Sequence, residues 1–335
     1  MTSKITKIFG FSIIGLILIV TTVVSLVFAI GILTSQHVSL SKFHPFNAIQ
    51  KVYYFGGIVN IWQYQNECVE IGGRLVYQPK IGTCYFENIE FQNTLTFNEA
   101  GRKNNFKFDS ELPRIAVLGD SHAMGWGVGD DTTFSAQLQR MTNRRVYNLG
   151  VSSYATEREL DRLALMQNLD DIDTVIIQYC DNDMSENSQY PIDRNLALNR
   201  FNDALETYVV LRDGALARNF YTALKAIVPA SLKLRLKAIL SIDTPTYENQ
   251  HRDLIERVLG EYSNLLKNKK VILMFVSGSN AKEVPTNWVG SYTEHGLDVS
   301  FIDLNLRDDF FYLIDDHLNI KGHAHIATTL SYIIE

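Results

Sequence analysis

From Ile8 to Leu33 the chain runs 26 residues without a charge, through Ile13, Ile14, Leu16, Ile17, Leu18, Ile19, Val20, Val23, Val24, Leu26, Val27 and Phe28. As a helix this segment measures roughly 39 Å at about 1.5 Å per residue, more than a bilayer's hydrocarbon core requires. It predicts a membrane-spanning anchor at residues 8–33 with a short cytoplasmic tail at 1–7. A cleaved signal peptide carries an apolar stretch of about 7 to 15 residues, so the length argues against cleavage despite the small-x-small pattern at Ala29-Ile30-Gly31. Lys4 and Lys7 precede the segment and only Lys42 follows closely, so the positive-inside bias places the N-terminus in the cytoplasm and the rest in the periplasm or outside the cell.

That compartment gives the cysteines a meaning. Disulfides persist outside the cytoplasm, and Cys68 and Cys84 share one glycine-containing stretch, which predicts a bridge between them. Cys180 follows the apolar run Thr174-Val175-Ile176-Ile177 and reads as a small buried hydrophobe at a strand end. The net charge of −6 gives no general attraction for a nucleic-acid backbone.

Residues 43–112 hold short β-like runs broken by Gly56-Gly57, Gly72-Gly73, Pro79 and Gly82, which predicts a small β-rich subdomain. From residue 113 to 335 the pattern becomes strand, turn and helix. Arg114 to Leu118, Thr174 to Gln178, Val271 to Val276 and Val299 to Ile302 are continuous apolar runs, as in a parallel sheet covered on both faces. The fold class is α/β with a doubly wound sheet, interrupted by a helical insertion at about 184–250. Within the insertion, Leu224 to Lys237 is basic and amphipathic, suiting a membrane surface or a solvated helix face.

The first strand runs straight into Gly119-Asp120-Ser121-His122, which sets Ser121 at the carboxyl end of a buried strand, where a nucleophile is exposed yet rigidly held. A serine hydroxyl needs a base, and Asp315-Asp316-His317 supplies an imidazole beside carboxylates. Gly150, in Asn148-Leu149-Gly150, lets a backbone N–H approach a ligand, and Asn182 in Cys180-Asp181-Asn182-Asp183 offers a side-chain donor. Singly, each block also fits an ordinary turn or helix cap; jointly, at strand ends, they fit a catalytic site. Trp126 suits either a sugar-stacking surface or the core. His323 and His325 sit at i, i+2 on a helix and point apart, so no metal site is expected. Gly125-Trp126-Gly127-Val128-Gly129-Asp130 lacks the last glycine of a dinucleotide fingerprint, and no nucleotide or other cofactor is implied.

The order Gly-Asp-Ser, Gly, Asn-Asp and Asp/His along residues 113–335 resembles the SGNH (GDSL) hydrolase family. The resemblance implies a flavodoxin-like core, Ser121 as nucleophile, His317 as general base, and an oxyanion hole from the Ser121 N–H, the Gly150 N–H and the Asn182 side chain. Two positions depart from the family's pattern. Cys180 stands where a glycine is usual, and Ile314 occupies the usual acid position three residues before the histidine. Asp315 matches the Asp-x-His form of relatives that process cell-surface polysaccharides and is assigned as the acid, with Asp316 as its rival. The implied activity is hydrolysis of an O-acyl ester, acetyl by preference, on an extracytoplasmic carbohydrate. An O-acyltransferase with the same triad, a lipid esterase, or an anchored binding protein that has lost activity are the alternatives.

Overall fold

The strands follow the apolar runs closely. The computed structural model describes residues 2–187, 194–226, 246–278 and 290–334. Its strands are β1 (Val69–Ile71), β2 (Tyr77–Pro79), β3 (Gly82–Asn88), β4 (Phe91–Asn98), β5 (Gly101–Arg102), β6 (Arg114–Leu118), β7 (Val146–Asn148), β8 (Ile172–Tyr179), β9 (Lys270–Phe275), β10 (Gly290–Glu294) and β11 (Leu297–Ile302). β1 and β2 pair with each other, and the remainder form one nine-stranded mixed sheet in the order β10-β11-β9-β8-β6-β7-β5-β4-β3. β7, β6, β8, β9 and β11 are mutually parallel, and in chain order they stand second, first, third, fourth, fifth.

Alternation along these strands explains why both faces are covered. Ala116, Leu118, Val175, Ile177, Val271 and Leu273 point to one face, where Leu160, Leu163, Ile255, Val258 and Leu259 from the helices Thr156–Ala164 and Thr246–Glu261 meet them. Ile115, Val117, Ile176, Ile272 and Met274 point to the other, against Phe134, Leu138, Ile326 and Leu330 from the helices Phe134–Thr142 and Ile320–Ile334. Strands buried on both sides read as unbroken apolar runs because every residue has a helix to face. The connections out of β6 and into β8 lie on opposite faces, so the strand order reverses between these two neighbours. Open α/β sheets bind their ligands outside the carboxyl ends at such a point.

The expectation for residues 43–112 needs correction. β3, β4 and β5 do not form a sheet of their own. They extend the main sheet through the Arg102–Asn148 pairing of β5 with β7. Alternation in β3 marks one buried face but cannot say which sheet the strand joins. Residues 44–53, inside the stretch predicted to be β-rich, are helical (His44–Tyr53, with Pro45 in its first turn). Cys68 and Cys84 form a disulfide with Cα atoms 5.4 Å apart, buried among Trp62, Leu95 and Phe97.

The chain divides into two compact units. One contains the whole sheet. The other draws its described residues from 2–59, 206–226 and 313–315. In that second unit a single helix runs Thr2–Ser35, and its Ile13–Ser35 portion, with mean hydropathy 2.9, is long and apolar enough to cross a membrane. Most of this portion is exposed, Leu16 and Ile19 by more than 60%. Its C-terminal end alone is covered: Val27 and Ile30 pack with Ile49, Tyr53 and Ala223. Gln50 ties the following turn down, accepting from the Leu40 N–H at 2.7 Å and donating to the Val38 carbonyl at 2.8 Å. The expected insertion is represented by the helices Arg194–Arg212, Ala215–Ala226 and the start of Thr246–Glu261. Most of the basic stretch up to Lys237 lies outside the described residues.

Candidate active site

β6 ends at Leu118 and the chain turns sharply at Gly119, whose φ of +147° only glycine adopts readily. A methyl group there would also meet Ala123 Cβ at 2.6 Å. Asp120 then caps a four-residue helix, Ser121–Met124, by accepting the His122 N–H at 2.8 Å. Ser121 is thereby presented just past the carboxyl edge of the sheet. Its Oγ lies 2.8 Å from His317 Nε2.

The imidazole is held from several sides. The Tyr312 N–H donates to the His317 carbonyl at 2.8 Å, and Phe311 bridges Leu318, closing the loop that carries the histidine. The Trp126 indole stacks on the imidazole with centroids 4.9 Å apart and planes 19° apart. Trp126 is itself buried, edge-on to Phe86 at 4.7 Å, so it fills the core and lays one face on the base. The His122 ring lies 4.8 Å from the His317 ring. Burial, then the neighbouring His317, holds the His122 pKa well below its usual value, which keeps that ring neutral.

Of the two candidate acids, Asp315 is buried and accepts a hydrogen bond from the Tyr54 hydroxyl. Asp316 is half-buried, in the left-handed region at φ +72°, with its carboxylate against Gly278: a methyl group on that glycine would meet Asp316 Cγ at 2.8 Å. The intervening left-handed residue is the local irregularity that spacing alone does not reveal.

Gly150 lies against the nucleophile helix, and a methyl group on it would meet the Ala123 carbonyl carbon at 2.7 Å. Its N–H donates to Asn148 Oδ1 at 3.0 Å. Asn182 is exposed, and its carbonyl accepts from Ser185 Oγ at 3.1 Å. Cys180, at the position of the usual glycine, is buried with its thiol 3.7 Å from Ser277 Oγ. Burial, then the charge of Asp120, raises its pKa well above the usual thiol value, so it stays protonated and is a poor nucleophile. His323 and His325 do not converge. His323 Nδ1 accepts the Phe134 N–H at 3.1 Å, whereas His325 Nε2 meets the Leu304 carbonyl at 2.6 Å. Among the described residues no three His, Cys, Asp or Glu side chains are grouped to hold a metal.

Two residues that the sequence reading passed over build the site's foundation. Gln178 reaches from β8 to the nucleophile turn, where its Oε1 accepts the N–H groups of Asp120 at 3.0 Å and Ala123 at 3.2 Å. Its signal was a buried-side amide directly after the apolar run Val175-Ile176-Ile177. Arg102, also fully buried, donates to the carbonyls of Met124, Gly125 and Val128, each at 2.6 Å, and pairs with Asp130 at 3.0 Å. It staples the loop that leaves the nucleophile helix.

No family model and no curated protein matches the chain. Solved structures similar to it include a G-D-S-L family protein from Desulfitobacterium hafniense (10% identity, 66% of this chain and 99% of that one, TM-score 0.35). An α/β hydrolase from the metagenome of Lake Arreo in Spain aligns at 12% identity over 68% of this chain and 95% of that one, with TM-score 0.35. An acetylxylan esterase from Geobacillus stearothermophilus aligns at 14% identity over 67% of this chain and 94% of that one, with TM-score 0.33. The functional reading therefore rests on the site's own geometry.

Proposed function

We propose that this chain is a membrane-anchored serine esterase of the SGNH type, acting outside the cytoplasm on an O-acyl group, acetyl by preference, carried by an envelope carbohydrate. The observation that carries the reading is the 2.8 Å contact between Ser121 Oγ and His317 Nε2 at the switch point of a parallel sheet. In this mechanism His317 takes the Ser121 proton as Oγ attacks the ester carbonyl. The tetrahedral oxyanion is stabilised by the Ser121 N–H, the Gly150 N–H and the Asn182 side chain, each worth about 3 to 4 kcal/mol to the transition state. For Gly150 this requires its N–H to swing from Asn148 Oδ1 to the substrate oxygen. His317 then protonates the departing sugar hydroxyl, and a water deprotonated by the same imidazole releases the acid from the acyl-enzyme. Asp315, two residues before the histidine, is the carboxylate we assign to stabilise the imidazolium. The exposed apolar surface of Ile13–Ser35 supports the anchor, and Lys4 and Lys7 support a cytoplasmic N-terminus.

The test uses the full chain in detergent micelles with p-nitrophenyl acetate and a fluorophosphonate probe. Ser121→Ala is expected to abolish labelling and lower kcat by a factor of at least about 10³, and His317→Ala by a similar factor. Asp315→Asn is expected to cost far more than Asp316→Asn. A folded wild-type protein that neither turns over nor labels overturns the reading, and labelling without hydrolysis redirects it to an acyltransferase.

A further inference from the structure

Two of the segments that carry the candidate oxyanion donors continue into the wall of a separate cavity. Ser152 and Ser153 follow Gly150 by two and three residues. Ser152 Oγ donates to Gln63 Oε1 at 3.0 Å, and Gln63 Nε2 donates to Ser153 Oγ at 2.9 Å. The Tyr77 hydroxyl donates to the Ser152 carbonyl at 2.6 Å. On the other side, Ser185 hydrogen-bonds the carbonyl of Asn182. Gln63, Tyr77, Ser153 and Ser185 all line one cavity of about 280 Å³, whose far wall is the start of the Arg194–Arg212 helix. The cavity thus begins within a few residues of both donors.

Its lining is aromatic, and its rim carries an arginine. Tyr77 and Phe201 are buried with their rings 4.8 Å apart, and the half-buried Tyr64, 5.5 Å from Phe201, adds a flat apolar ring of the kind that stacks on sugars. Arg158 and Glu186 also line it, but they pair with each other, and Arg158 lies over the Tyr77 ring at 5.0 Å. Their charges cancel. Arg200 is exposed at the rim and has no ion-pair or hydrogen-bond partner among the described residues. An exposed guanidinium beside an aromatic lining matches a planar anion such as a carboxylate. The volume sits at the small end of ligand pockets, enough for about one ring.

Resting on the esterase reading, we infer that this cavity is a subsite for one acidic sugar residue of the O-acylated polysaccharide, with a uronate-type carboxylate on Arg200. The substrate class is therefore an acidic rather than a neutral glycan. The test measures binding of xylotetraose, its glucuronic-acid-substituted counterpart and tetragalacturonate to the full chain in detergent by calorimetry, beside p-nitrophenyl acetate turnover. The two acidic oligomers are expected to bind at least ten-fold tighter than xylotetraose, an advantage that shrinks as salt rises. Arg200→Glu is expected to erase that advantage without changing p-nitrophenyl acetate kinetics, and Phe201→Ala to weaken all three oligomers. Equal binding of acidic and neutral oligomers, or an acidic preference untouched by Arg200→Glu, overturns the subsite. If the acidic preference stands while the wild type shows no turnover and no fluorophosphonate labelling, the esterase reading fails and the cavity remains as a glycan-binding site.

Discussion

At the scale of single residues, the nucleophile turn depends on a side chain from the neighbouring strand. Gln178 is fully buried, accepts two N–H groups of the turn and donates to the Val276 carbonyl at 3.2 Å. Gln178→Leu keeps the volume but leaves the Asp120 and Ala123 N–H groups and the Val276 carbonyl unpaired. Buried unpaired groups cost about 1 to 3 kcal/mol each, so the three together are expected to remove roughly 3 to 9 kcal/mol of stability, measurable by urea unfolding. Because Ser121 lies between the two released groups, kcat on p-nitrophenyl acetate is expected to fall at least ten-fold while KM moves little. Unchanged kcat would mean that the turn holds its shape without Gln178. Ser121 and His317 were legible because a nucleophile at a strand end and an imidazole beside carboxylates are local patterns. Gln178 was not, because its role exists only once β6 and β8 lie side by side. Asp315 and Asp316 could not be ranked by spacing, since the left-handed backbone at Asp316 decides where each carboxylate goes.

At the scale of elements, the parallel strands were readable and their antiparallel extensions were not. A strand covered by helices on both faces announces itself as an apolar run, whereas β3 and β4 alternate and fit any half-covered sheet. The His44–Tyr53 helix carries Phe46, Ile49, Val52 and Tyr53 at helical spacing, but its ten residues lie next to Gly56-Gly57, and the glycines dominated the reading. β1 and β2 are three-residue strands outside the main sheet, too short to hold themselves in place. The Cys68–Cys84 disulfide fastens β1 to β3 across a separation of 16 residues. Closing such a loop contributes about 3 kcal/mol by restricting the unfolded chain. Reduction with dithiothreitol is expected to lower the urea midpoint by that equivalent, and a Cys68→Ser, Cys84→Ser double variant is expected to start from the lower midpoint and ignore the reductant. A wild-type midpoint insensitive to reductant would place the stability of this corner in its aromatic packing instead.

For the whole molecule, the apolar helix and the sheet answer to different surroundings, and pH reads the stability of the sheet unit. Burial, followed by the charges of Arg102 and His317, pushes the His323 pKa down to about 3, so the ring is neutral when folded. An unfolded histidine binds a proton near pH 6.5. Stability from this group is therefore lost as pH falls from about 6.5 toward 3, by at most roughly 5 kcal/mol. Glu159 acts in the opposite sense. It is fully buried with no hydrogen-bond partner for either oxygen among the described residues, and burial, then the charges of Asp183 and Asp120, raises its pKa well above the usual carboxylate value. Asp183 is raised too, by burial and then by Asp120. Carboxyls that stay protonated when folded contribute stability that is complete below their unfolded pKa and declines as pH rises past it. The unfolding free energy is thus expected to decline on the alkaline side of neutrality as well as in acid. Glu159→Gln, which keeps the shape and removes the ionisation, is expected to exceed the wild type in stability at pH 8 and to converge with it near pH 4. His323→Asn, whose amide oxygen can accept the Phe134 N–H, is expected to flatten the acid limb while leaving the alkaline limb in place. Urea unfolding in 0.5-unit pH steps separates the two. If Glu159→Gln tracks the wild type in parallel at every pH, Glu159 is ionised in the fold, and its charge must then be balanced by Arg158 and Arg162 on the same helix.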